Sequence, residues 1–156
     1  MMIRRAEPRD LETVDRLLSQ VLTIHAALRP DLFIPGTRKY TDGELLAIFA
    51  DEQSPVFVAE DEGGAVLGYC FCQIQERRGL NNMPDARELY IDDLCVDASA
   101  RGRQVGRQLY DYARAYAKTL GCGAVTLNVW EGNTAARAFY ERMGMTVRKT
   151  VMEAKL

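Results

Sequence analysis

Residues 101–107 read Arg-Gly-Arg-Gln-Val-Gly-Arg and fall between an apolar run and an amphipathic one. Upstream, Arg87 to Asp97 (RELYIDDLCVD) has the density of apolar residues expected of a strand. Downstream, Val105, Leu109, Tyr112, Tyr116 and Leu120 recur at three- and four-residue steps, and Gly121 stands where a helix ends, so 102–121 reads as a helix. Two glycines and three arginines are thereby delivered to a helix start. Unpaired N–H groups and the positive end of the helix dipole favour an oxyanion there. Glycine permits close backbone approach, and arginine adds charge-assisted hydrogen bonds. The run has neither the Gly-Lys-Ser/Thr of a Walker loop nor the GxGxxG of a dinucleotide fingerprint. On residue pattern alone, a solvated basic turn that merely opens a helix is an equal reading.

The flanks add order. AVTLNVW (124–130) reads as a strand and NTAARAFYERMG (133–144) as a helix ending at Gly144, which completes a strand–helix–strand–helix series and favours a parallel strand pair. Toward the N-terminus, PVFVAE and AVLGYCFCQIQ flank Asp61-Glu62-Gly63-Gly64, the signal of a β-hairpin. A short strand is expected around Ile3. After it Leu11, Val14, Leu18, Val21, Leu22 and His25 form the stripe of an amphipathic helix, which puts His25 on the buried side as a core or pocket-wall residue. Arg29 to Gly43, with Pro30, Pro35, Gly36 and Gly43 among apolar residues, reads as an ordered loop before a second helix from about Glu44 to Asp51.

Composition narrows the function. The chain has 156 residues, 47% hydrophobic and 27% charged, which is one ordinary globular domain over 1–156 with enough length for a core. Twenty Lys and Arg against 22 Asp and Glu give a net charge of -2, unlike the basic footprint of a nucleic-acid domain. Cys70, Cys72, Cys95 and Cys122 lie in apolar stretches without zinc-ligand or CxxC spacing, so they read as reduced thiols and no metal is expected. No apolar run is long enough for a membrane span or a signal peptide, and a cytoplasmic location is expected.

Taken together, Arg101 to Gly106, Asn128 to Asn133, and then Phe139, Tyr140, Met143 and Gly144 resemble the signature of the GNAT superfamily of N-acyltransferases. The match is specific from about Glu88 to Met145, and in element order it covers the whole chain. The resemblance implies an α/β fold of mixed α+β character: a twisted mixed sheet of six to seven strands, flanked by about four helices, whose central parallel strands splay apart to admit acetyl-CoA. It implies a pyrophosphate on the backbone of Gln104 to Arg107, with Arg101, Gly102, Arg103, Val105 and Gly106 completing the cradle. It further implies a pantetheine arm along Leu94, Cys95 and Val96, touched by Asn133, which by itself also reads as a helix N-cap. Gln104 departs from the family, which usually has glycine there; a left-handed backbone at that residue costs on the order of 1 kcal/mol.

The chemistry implied is direct attack of a primary amine on the thioester in a ternary complex, with Tyr140 as proton donor to the leaving thiolate and a backbone N–H at Leu94 or Cys95 for the oxyanion. Some relatives carry a basic glutamate where Asn128 stands here, so that base does not transfer. Asp92 takes its place, in a tract similar to that of polyamine acetyltransferases, with Glu88 on the same strand face as understudy; strand alternation puts Asp92 and Asp93 on opposite faces. Solvent as the proton acceptor stays open, as do a non-catalytic coenzyme A-binding sensor and transfer of a longer acyl chain or to a hydroxyl. The substrate wall is expected from His25 to Glu44, and Met145 to Leu156 (MTVRKTVMEAKL) as a last hairpin that can also serve homodimerisation, which is common in the family.

Overall fold

The strands pair in the order in which the chain makes them. In a computed structural model that describes residues 1–156, β1 (Met2–Arg5), β2 (Val56–Glu60), β3 (Val66–Arg77), β4 (Ala86–Val96) and β5 (Ala124–Leu127) form one five-stranded sheet. Pairings from β1 to β4 are antiparallel, and β4 with β5 is parallel. The reversal follows from connection length: Asp61 to Ala65 makes a tight turn between β2 and β3, while β4 and β5 are joined through α3 (Val105–Thr119). The remaining helices are α1 (Leu11–Leu28), α2 (Asp42–Ala50) and α4 (Thr134–Arg142).

Period-two alternation sends neighbouring residues to two cores. Val56 and Val58 join Val14, Leu17, Leu45 and Phe49 under α1 and α2, while Phe57 and Ala59 join Leu109, Tyr110 and Ala113 of α3. Because both faces are covered, β2 and the first half of β3 are continuous apolar runs. Cys70 and Cys72 share the α3 face with sulfurs 3.6 Å apart, buried free thiols as expected. Gly68 is needed where it is: a Cβ there would lie 2.6 Å from the Cys95 carbonyl oxygen and 3.2 Å from a Leu109 methyl, so only glycine lets α3 close on β3 and β4.

Several boundaries differ from the sequence expectation, each for a local reason. α2 starts at Asp42 because Thr41 caps it: the Thr41 hydroxyl accepts the Glu44 N–H and the Glu44 carboxylate accepts the Thr41 N–H, both at 3.2 Å. α3 starts at Val105 after left-handed residues at Gly102 and Gln104. β5 ends at Leu127, not Trp130, because β4 has parted from it by then. The sheet has five strands, fewer than the six to seven expected. The anticipated last hairpin is not formed: residues 146–156 make no backbone hydrogen bond and no strand pairing, and 146–156 are exposed throughout.

Candidate active site

The site begins where two strands part. β4 and β5 pair only from Glu88–Ala124 to Ile91–Leu127, whereas β4 continues, bonded to β3 alone, as far as Val96. From Asp92 to Val96 one edge of β4 therefore has no strand beside it. That is the splay expected of the parallel pair.

A bulge marks the parting. Phe71 faces Asp93 and Cys72 faces Ile91, so Asp92 is the extra residue of β4. The expected opposition of Asp92 and Asp93 consequently does not hold, because an inserted residue resets the alternation. Asp92 lies 3.3 Å from the Lys39 ammonium in the α1–α2 loop, and Asp93 accepts a 2.7 Å hydrogen bond from the Tyr69 hydroxyl in the core under α1 and α2. Both carboxylates thus lie on the α1–α2 face. Burial pushes the Asp93 carboxyl up to about 6, against the opposing pull of Tyr69 and Lys39. Burial also works against the charge of Lys39, but Asp92 and Asp93 outweigh it and hold its ammonium above the ordinary value. Glu88 is different: two hydrogen bonds of 2.8 and 2.9 Å from Arg148 hold it below the usual carboxylate range.

Tyr140 approaches from the other side, on α4. Its ring packs on Phe139 at 5.1 Å and faces Tyr110 at 6.4 Å, and its hydroxyl makes no hydrogen bond within the protein yet is reached by solvent. Burial, with the anionic forms of Cys70 and Asp93 nearby, holds the phenol well above its ordinary value, so it carries its proton at neutral pH. The Cys95 thiol is core-facing, buried toward the Leu17 carbonyl and pushed up to about 12 by burial.

Beyond the parted strands lies a cleft of about 670 Å³ at the start of α3, lined by Val96, Arg101, Gly102, Gln104, Val105, Gly106 and Arg107 among others. Gln104 has φ 64° as the N-cap of α3, the left-handed backbone that the sequence left conditional. Arg101 forms no ion pair, and Arg107 has only a loose one with Asp111 at 3.6 Å. Arg103 is not in this cleft; it lines a shallow depression with Asp61 and Glu62. Leu94 and Cys95 stand back from the cradle on the free part of β4. The sequence reading missed Arg142, which lines the cleft three residues after Phe139 on the same helical face. Asn133 caps α4, its side-chain oxygen accepting the Ala136 N–H at 3.2 Å.

The opposite wall is aromatic. His25 lies 5.1 Å from Phe33, which meets Trp130 edge-on at 5.4 Å, while the Arg29 guanidinium is 6.0 Å over Trp130. His25 is half-buried, and burial with the charge of Lys39 lowers its pKa, so it is a neutral wall residue near pH 7. Asn128 donates to the Tyr90 hydroxyl at 3.2 Å. No cluster of three or more His, Cys, Asp or Glu side chains is arranged to hold a metal ion, and no helix is long and apolar enough to cross a membrane.

The fold is shared with known proteins. A mutant of the BH1408 protein from Bacillus halodurans superposes with a TM-score of 0.96 at 33% identity, covering 100% of this chain and 99% of that one. YwnH of Bacillus subtilis (strain 168), whose name marks it as a candidate phosphinothricin acetyltransferase, is 27% identical over 146 residues, 92% of this chain and 83% of that one. A glucosamine 6-phosphate N-acetyltransferase of Arabidopsis thaliana is 28% identical over 115 residues, 74% of this chain and 67% of that one. Residues 21–145 match the acetyltransferase (GNAT) family, a span that holds the second half of α1, all of α2, the parted strands and the start of α3. By that match the chain belongs to the acetyltransferase (GNAT) family.

Proposed function

We propose that the protein is an acetyl-CoA-dependent N-acetyltransferase that acts on a primary amine by direct attack. The observation that carries the reading is the free edge of β4 from Asp92 to Val96, open toward the positive start of α3. The residues present suit the cosubstrate. Backbone N–H groups from Gln104 to Arg107 and the side chains of Arg101, Arg107 and Arg142 would hold the diphosphate, and the unpaired backbone of Leu94 to Val96 would take an extended arm as a further strand. When bound, acetyl-CoA supplies an activated acyl group on a thiol leaving group.

The chain's own residues then divide the work. Asp92, the base favoured from sequence, already holds an ammonium, that of Lys39, and is suited to bind the acceptor's ammonium in the same way. Asp93, beside it, has the elevated pKa that lets a carboxylate take up a proton near neutral pH. Glu88 is tied to Arg148, which lowers its capacity to accept a proton and favours Asp92 and Asp93 over it. Tyr140 retains its proton until a departing thiolate needs one, and its hydroxyl is not committed to any protein partner. The aromatic wall of Phe33 and Trp130 gives the acceptor an apolar surface. The names of the two relatives, one an N-acetyltransferase of an amino sugar, support an amine as acceptor.

The test is thiol release from acetyl-CoA in the presence of a panel of amines. At least one amine should turn over, and Tyr140→Phe should lower kcat by about 100-fold or more with unchanged coenzyme A affinity. Tight coenzyme A binding with no thiol release for any amine would favour a sensor or interaction module instead.

A further inference from the structure

We infer that Lys39, in the loop between α1 and α2, is itself an acetyl acceptor of this site, modified by transfer within one chain. The inference rests on the proposed function and starts from the placement of charge. The Lys39 ammonium lies 3.3 Å from the Asp92 carboxylate, the group to which that function assigns the ammonium of an external acceptor. The chain has four lysines, Lys39, Lys118, Lys149 and Lys155, and of these Lys39 alone forms an ion pair with a strand residue.

The backbone that carries Lys39 is fixed on both sides. Arg38 is held by Asp15 of α1 at 3.1 Å and by Asp42 of α2 at 2.7 Å. Tyr40 stacks on Phe71, with ring centroids 6.2 Å apart, and packs against the core under α1 and α2, and Thr41 caps α2. The ammonium also lies 5.3 Å over the Tyr40 ring. Its side chain is nonetheless 46% exposed, so nothing encloses the stem. A single ion pair at that exposure adds little to stability, which leaves its place beside the site as its consequence. A nucleophile tethered next to its target reacts at a high effective concentration.

Leu94 and Cys95, the amides that the proposed reaction assigns to the oxyanion, stand two and three residues past Asp92 on the free stretch of β4, about 7–10 Å along it. Rotation about the bonds of a flexible four-carbon stem carries a nitrogen over distances of that order. One proton of the ammonium passes to the Asp92–Asp93 pair, where burial has pushed the Asp93 carboxyl up to about 6, and from there to water. The freed amine attacks the thioester carbonyl carbon; the C–N bond forms and the C–S bond breaks. Tyr140 protonates the departing sulfur and recovers the second proton of the nitrogen. The products are a neutral amide on Lys39, free coenzyme A and one proton in solution. The amide has lost its charge, so Asp92 is released for the ammonium of an external acceptor.

Peptide mass mapping of the folded chain during incubation with acetyl-CoA decides the matter, with the other three lysines as internal controls. Lys39 should gain one acetyl group about tenfold or more faster than Lys118, Lys149 or Lys155, with a first-order rate constant independent of protein concentration. Uncatalysed acetylation would disfavour it, because Asp92 and Asp93 hold its ammonium above the ordinary value. Tyr140→Phe should slow Lys39 by about 100-fold and leave the other three at their solution rate. Acetylation of Lys39 no faster than that of the others, while an amine of the panel turns over, would overturn the inference and leave the proposed function standing. An unmodified Lys39 with no thiol release for any amine would overturn both. A Lys39 rate that Tyr140→Phe does not change, or that rises in proportion to protein concentration, would also overturn transfer within one chain.

Discussion

β2 and β5 are both short strands of four or five residues, yet they live in different surroundings. Val56 to Ala59 are fully buried between two helical layers, whereas every residue of β5 is only half-buried and α4 buries none of its own. Near β2, Arg4 of β1 is bound by both Asp10 and Glu60, which ties β1 to β2 and to the start of α1. β5 is bonded to β4 on one side and to no strand on the other, and beyond Ile91 the edge of β4 that faced it is free as well. One half of the molecule is packed between two helical layers; the other half is only partly covered by its own chain.

The seam between the halves should respond most strongly. Asp93→Asn is expected to lower kcat by about 100-fold to 10,000-fold, since it removes a proton acceptor. In the wild type, kcat/KM should rise with pH through about 6, where Asp93 loses its proton, and the variant should lack that acid limb. The same substitution should also stabilise the fold. The carboxyl is raised in the folded state, so its ionisation opposes folding above pH 6, and that cost disappears as the pH falls from 6 toward 4. Thermal melts at pH 7 should show a gain of about 1–2 kcal/mol for Asp93→Asn, with little difference at pH 4. A loss of activity without the change in pH profile would shift the proton transfer to Asp92 or to solvent.

The comparison itself is tested by one deletion made twice. Val58→Ala, in the closed half, should cost about 2–3 kcal/mol in denaturant unfolding, because the cavity cannot refill. Val125→Ala, in the open half, should cost less than about 1 kcal/mol in the isolated chain, because its side chain is already partly in solvent. Equal costs would mean that the open half is covered in solution.

The smallest expected effect is at the cradle. Gln104→Gly relieves a left-handed φ of 64°, and should raise stability by about 1 kcal/mol, a few degrees in Tm, with coenzyme A affinity retained or improved in calorimetry. A lower Tm would show that the glutamine side chain supports the loop.

Much of this was legible in the residues themselves. Alternating and three-four apolar periods, the Gly-Gly turn and the run from Arg101 to Arg107 determine the elements, their order and the place of the cradle, because these signals are local: each depends on residues within a turn or two of one another. The splay was expected through the resemblance carried by Arg101 to Gly106, Asn128 to Asn133 and the end of α4, and Tyr140 and Asn133 were singled out in the same way. What lies across the sheet was not. The bulge at Asp92 that brings both carboxylates to one face, Lys39 reaching Asp92 from 53 residues away, and the Arg148 clasp on Glu88 are all decided by long-range pairing. The last hairpin failed as an expectation on the same ground. Val147, Val151 and Met152 do not alternate strictly, so the tail's sequence specifies no register, and local composition does not decide whether its backbone pairs with the available edge of β5.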